Sequence, residues 1–316
     1  MITETHFTML KRELFLISGE DNQETVVYTD SMFWCGPDLV KSMLEFAEQN
    51  KDELYKTETC IYGDFMACMG SRKREEKLYW KKISAAAPIK TKIANHFQCS
   101  PLSVLVLEKS KFYHIGTMPE YLENLCQSSE LFSILGMKTI LHCHSGKNLN
   151  CRGIILDSVV DAAVEVGEGS VVDHCIFHTP LIVESNTILS NCVINGADID
   201  IIPSGWLFHS SAILKDGQNL YVTIAFRLDE NLKTCTEHSW KHLAEENSSL
   251  WTAHLFKASA TMRDSFSSTW RSVTRNNQVD RKEDDIVRYS MMDIVKLKRI
   301  EGFLQHRANI YQLCSS

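Results

Sequence analysis

The sequence predicts an α/β chain in three parts: alternating strands and helices over 1–137, a short parallel β-helix with closing strands over 138–232, and a mixed, mostly helical end over 233–316. Three observations predict it. In the first part, strand-like runs that end in aspartate lead into helix-like runs. From about residue 140, apolar residues recur at six-residue spacing. Near the end, Ile286, Tyr289, Ile294, Leu297, Ile300 and Leu304 fall broadly on one helical face, with Lys and Arg between them.

In the first part, Leu14–Ile17 suits either a helix or a strand, and Ser18–Asn22 is a turn cluster. Thr25–Thr29 reads as a strand ending at Asp30–Ser31. A helix follows Gly36-Pro37-Asp38, with Leu39, Val40, Met43, Leu44 and Ala47 inward. Glu58–Tyr62 reads as the next strand and ends at Gly63-Asp64. A short helical turn over 65–70 comes next, then an exposed charged stretch, then a helix over about 89–97 after Pro88. Leu102–Leu107 has the apolar run of a buried strand. Pro119 opens a helix with Thr117 as its cap.

Ile154, Val160, Val166 and Val172 step by six, and Ile176, Ile182, Ile188 and Ile194 do so again. Three hexapeptides make one coil of a parallel β-helix, so this stretch predicts roughly three coils. A few strands of a sandwich are the competing reading. Trp206–Phe208 and Tyr221–Phe226 read as closing strands, with Asp216-Gly217 turning a connection between them.

Composition bounds the function. A net charge of -7, with 23% charged residues, argues against non-specific nucleic-acid binding. No apolar run has the length of a membrane span, and the first residues lack the order of a signal peptide. The 11 cysteines include no Cys-x-x-Cys pair, which fits reduced thiols and a cytoplasmic setting. No phosphate-binding loop of the G-x-x-x-x-G-K-[ST] or G-x-G-x-x-G kind is present.

Asp30 and Asp64 each follow a strand, where a carboxylate can bind sugar hydroxyls or a cation; capping and turn formation are equally ordinary uses. His114 stands between a strand and Gly116, and suits a ligand phosphate or simple packing. His142 and His144 share one strand face, with Cys143 and Cys151 close by. No second ligand pair at finger spacing follows, so no metal site is expected there. His174 and His178 read as surface histidines in the repeat.

Val26-Val27-Tyr28-Thr29-Asp30-Ser31, Tyr62-Gly63-Asp64-Phe65 and Phe112-Tyr113-His114-Ile115-Gly116-Thr117 occur in that order. With Ile224-Ala225-Phe226, Asp229-Glu230-Asn231-Leu232 and Ser249–Phe256, they resemble the GDP-fucose pyrophosphorylase (L-fucose-1-phosphate guanylyltransferase) family. The resemblance covers most of the chain from about residue 20. It implies a Rossmann-like sugar-nucleotidyltransferase domain, present here only in part, followed by a β-helix of left-handed type. The implied reaction is GTP plus L-fucose 1-phosphate giving GDP-fucose and pyrophosphate, with Mg²⁺. On this resemblance Asp30, Ser31 and Asp64 face the sugar, and His114, Gly116 and Thr117 line the phosphate side. Catalytic residues are left unassigned.

The family's glycine-rich nucleotide loop and early acidic motif lie upstream of the segment matching Tyr28-Thr29-Asp30. Only 25 residues precede Val26 and neither motif is among them, so weak or absent activity alone is expected. Related nucleotidyltransferases often carry an aspartate where His114 stands, which counts against metal binding from this position. Two alternatives stand beside this reading. One is a non-catalytic scaffold that associates through its β-helix, as a homo-oligomer or with a complete transferase. The other is a hexapeptide acyltransferase.

Overall fold

The computed structural model describes residues 17–18, 24–25, 33–57, 59–69, 88–98, 100–103, 113, 115–126, 129–146, 148–232, 239–240, 242–244, 248–274 and 287–315. The chain divides into two compact units, Met1–His114 and Ile115–Ser316. It is mixed α/β, with its parallel sheets in a solenoid of four coils. Among the described residues, no helix is long and apolar enough to cross a membrane.

In the first unit, β1 (Ile17–Ser18) pairs antiparallel with β2 (Glu24–Thr25) around the expected turn cluster. Helix α1 (Pro37–Gln49) opens on Pro37, whose fixed φ and missing N–H suit a first helical position. Helix α2 (Lys51–Lys56) follows at once. Helix α3 (Pro88–Phe97) starts where its proline predicts. Ile89, Ile93, Ala94 and Phe97 of α3 bury against Phe46, Cys68 and Met69. Phe97 meets Phe46 edge-on, with ring centroids 5.4 Å apart. The strand expected at Glu58–Tyr62 does not form. Cys60 is extended, but the chain closes into a single π turn over Ile61–Phe65 and a 3₁₀ turn over Met66–Cys68. Leu102 and Ser103 are irregular, and the rest of the strand expected at Leu102–Leu107 lies outside the described residues.

In the second unit, α4 (Met118–Leu125) and α5 (Glu130–Ile134) precede the solenoid. Its first coil is β3 (Ile140–Leu141), β4 (His144–Ser145) and β5 (Leu149–Cys151). The second is β6 (Ile154–Leu156), β7 (Val159–Val160) and β8 (Val164–Val166). The third is β9 (Val171–Asp173), β10 (Ile176–Phe177) and β11 (Leu181–Val183). The fourth is β12 (Ile188–Ser190), β13 (Val193–Ile194) and β14 (Ile201–Ile202). Each face is a parallel ladder of equivalent strands.

The repeat is real, but its coil is 17 residues, not 18: Ile154, Val171 and Ile188 stand in register on one face. The fully buried inward series is Ile155, Val160, Val166, Val172, Phe177, Val183, Leu189 and Ile194. One step in each coil is therefore five residues instead of six. The short step passes a corner where His142, Asp157, His174 and Asn191 take left-handed φ of 47°, 41°, 51° and 54°. A left-handed residue turns the chain in less length, and Asn and Asp tolerate it best after Gly. The shortened corner overturns part of the six-step reading. Ile182 points out and is 44% exposed, with Leu181 and Val183 buried on either side. Ile154, Val171 and Ile188 face outward too, and they are covered by Leu122, Tyr121 and Leu125 of α4.

Above the fourth coil, β15 (Trp206–Lys215) continues the ladder from β12 and returns as β16 (Gln218–Arg227) through Asp216-Gly217. Both turn residues have positive φ, the geometry that matches strand twist in a two-residue hairpin. Strands β17 (Phe256–Ser259) and β18 (Arg288–Tyr289) extend the sheet. Helix α6 (Met262–Thr274) packs on β16, where Thr269 Oγ1 donates to the Thr223 carbonyl at 2.7 Å. The chain ends in α7 (Met291–Leu297) and α8 (Ile300–Ser315). The single apolar face expected here breaks up. Tyr289 lies in β18 and Ile294 is buried, while Ile300 and Leu304 are 61% and 57% exposed.

Candidate functional site

Asp64 is the one expected sugar-facing residue that the first unit describes, and the chain around it is organised by its carboxylate. The Asp64 N–H donates to the Cys60 carbonyl at 2.9 Å, and Asp64 Oδ2 accepts the Cys60 N–H at 2.7 Å. This ring holds the π turn closed. Lys90 Nζ lies 3.1 Å from the same Oδ2. Lys90 sits in the first turn of α3, between Ile89 and the buried Ile93, so packing fixes where its ammonium starts. Asp64 is only 8% exposed. A carboxylate this far out of water is tolerable because it is paired and hydrogen-bonded. Its Oδ1 has no hydrogen-bond partner among the described residues, and the Lys90 ammonium has donors beyond the one given to Asp64.

Asp30, Ser31 and His114 lie outside the described residues. Gly116 and Thr117 are at the start of the second unit and cap α4. Their N–H groups both donate to Glu120 Oε2, at 3.1 and 3.0 Å, and Thr117 Oγ1 accepts the Glu120 N–H at 3.3 Å. That is a complete capping box, as the Thr117 reading expects. The two backbone donors expected to face a phosphate are thus already turned toward a carboxylate of their own chain.

Sequence reasoning missed Lys90. It reads as one more polar position on a helix, and nothing local ties it to Asp64; only the packing of α3 against the turn after Cys60 does. In the repeat, His178 Nδ1 pairs with Asp161 Oδ2 at 2.9 Å, and both side chains are well exposed, as expected for a surface histidine. His174 is different: its side chain is only 16% exposed, and it stands in a polar cluster at the solenoid corner.

Mg²⁺ prefers an all-oxygen, near-octahedral shell. Asp64 offers a single carboxylate whose charge Lys90 already balances. Among the described residues no group of three His, Cys, Asp or Glu donors converges there. These residues do not fit a Mg²⁺ ion, and no step is derived through one.

The profile of the fucose pyrophosphorylase domain matches residues 8–261. The chain is 26% identical over 327 aligned residues to a fucose-1-phosphate guanylyltransferase of Mus musculus, covering 92% of this chain and 54% of the relative. It is 27% identical to the Homo sapiens protein of the same name, covering 90% of this chain and 52% of the relative. The chain therefore spans about half the length of these curated relatives. No solved structure matches it significantly. With the match running through both units, the chain belongs to the fucose pyrophosphorylase family.

Proposed function

We propose that this chain serves guanylyl transfer between GTP and L-fucose 1-phosphate, and that its first unit holds the sugar phosphate. The reading is carried by the buried Asp64–Lys90 pair, which lies inside the matched span. In the reaction, an oxygen of the sugar phosphate attacks the α-phosphorus of GTP and pyrophosphate leaves. The substrates are two anions, so the protein's task is to align them and offset their repulsion. Asp64 Oδ1 accepts a sugar hydroxyl, while Oδ2 stays on Cys60 and Lys90. The remaining Lys90 donors meet the phosphate. Asp30, Ser31 and His114 complete the same unit's side of the site on the family resemblance. The names of the relatives support the substrate pair.

A thermal-shift comparison tests the substrate class. A ligand that binds only the folded chain raises its Tm in proportion to the logarithm of saturation. L-Fucose 1-phosphate and GDP-fucose are expected to raise the Tm, and coenzyme A to leave it unchanged. A shift with coenzyme A and none with the fucose ligands would move the chain to the acyltransferase reading.

A further inference from the structure

The short corner of the solenoid gathers residues that no local motif connects. Its left-handed positions stack coil upon coil: His142, then Asp157, then His174, then Asn191. Each imidazole carries a carboxylate on its Nδ1. His142 Nδ1 lies 2.7 Å from Asp157 Oδ1, and His174 Nδ1 lies 2.6 Å from Asp173 Oδ1. A proton on His174 Nδ1 leaves the lone pair on Nε2, and Nε2 lies 4.0 Å from Asp157 Oδ2. Donor atoms of Asp157, Asp173 and His174 all fall within 4.8 Å of one another. Their side chains are mostly covered, at 35%, 19% and 16% exposure.

We propose that this corner is a binding site for a divalent transition-metal ion, with His174 Nε2, Asp157 Oδ2 and Asp173 as protein ligands. Four lines of geometry and chemistry agree. A separation of 4.0 Å suits two donors bound to one ion at about 2.0–2.2 Å each. The carboxylate behind His174 and the imidazole behind Asp157 are the outer partners that fix tautomer and orientation in metal sites. Two carboxylates this close repel, and the one guanidinium at hand, Arg307 Nη2, reaches Asp173 Oδ2 only at 3.4 Å. A dication neutralises both carboxylates, and Arg307 keeps its bond from Nε to Asn191 Oδ1 at 3.1 Å. The mixed nitrogen and oxygen set selects Zn²⁺, Co²⁺ or Mn²⁺ over Mg²⁺ and Ca²⁺.

The site also has a structural reach. Helix α8 lies over the corner, with His306 Nε2 3.0 Å from the His174 carbonyl oxygen and His142 stacked near Tyr311 at 4.7 Å. An ion here ties the second and third coils together beneath the helix that closes the chain.

The test is titration of the full chain with Co²⁺, followed by visible absorption and calorimetry, and repeated with Zn²⁺. Asp157→Asn and His174→Asn are the informative variants. Asparagine already occupies the same left-handed corner one coil further on, at Asn191, so both variants keep the backbone. His178→Asn, on a different corner and paired with Asp161, is the control. One equivalent of Co²⁺ with d–d bands in the native chain and the control is expected, with at least about tenfold weaker binding in each corner variant. Absence of stoichiometric binding by the native chain overturns the assignment. So does unchanged binding in both corner variants, or equal loss in the control.

Discussion

His209 shows how far one ring's surroundings can move its chemistry. It lies on β15, faces Phe303 of α8 at 6.3 Å between centroids, and places Nε2 3.0 Å from Ser211 Oγ. Burial first, then the charges of Lys298 and Arg307, push its pKa down from 6.5 to about 4, with Asp173 acting the other way. His306 on α8 moves in the same direction, again through burial first. The folded protein therefore keeps His209 neutral at pH values where the unfolded chain takes up a proton. The associated stability is whole above pH 6.5 and is lost as pH falls through about 4. Its size is at most about 3 kcal/mol, and less because part of the residue meets water. Urea midpoints between pH 7.5 and 4.5 are expected to fall less steeply in His209→Gln than in the native chain. Equal slopes would remove His209 from the account of acid sensitivity.

At the scale of the element, the coil is set by its corners as much as by its aliphatics. Small residues let successive coils touch. A Cβ on Gly153 would meet the carbonyl oxygens of Ser170 and Gly167 at 2.5 and 2.6 Å, and backbone cannot step aside. Gly153→Ala is expected to cost about 1–3 kcal/mol in urea unfolding; a neutral result would mean the coils are not this closely stacked. The sequence made the repeat visible through Val160, Val166 and Val172, and the helix start through Thr117 and Pro119. It did not make the 17-residue coil visible. The shortened corner is marked by His142, Asp157, His174 and Asn191, not by the glycine that usually announces a tight turn. The same cause hid the polar corner. His142, Asp157 and His174 stand a full coil apart in sequence, so a search for ligands at finger spacing around His142 and His144 looks along the strand instead of across the ladder. At Glu58–Tyr62 the miss has another origin. Apolar and β-branched residues suggested a strand, but the bonds between Asp64 and Cys60 close the chain into a turn.

For the whole molecule, the family was legible because its segments span both units in order, and the profile match over 8–261 has the same extent. The site was legible only in part. A strand-end aspartate is visible in a sequence, but its partner Lys90 arrives through the packing of Ile89 and Ile93 against Phe46 and Met69. The central claim is that Asp64 and Lys90 hold the sugar phosphate. Calorimetry with L-fucose 1-phosphate tests it most directly, on the native chain, Asp64→Asn and Lys90→Met, with far-ultraviolet circular dichroism to confirm that each variant is folded. Saturable binding to the native chain, weakened at least about tenfold in each folded variant (roughly the 1.4 kcal/mol of one charge-assisted contact), is the predicted result. No binding by the native chain, or equal affinity in both folded variants, would contradict it.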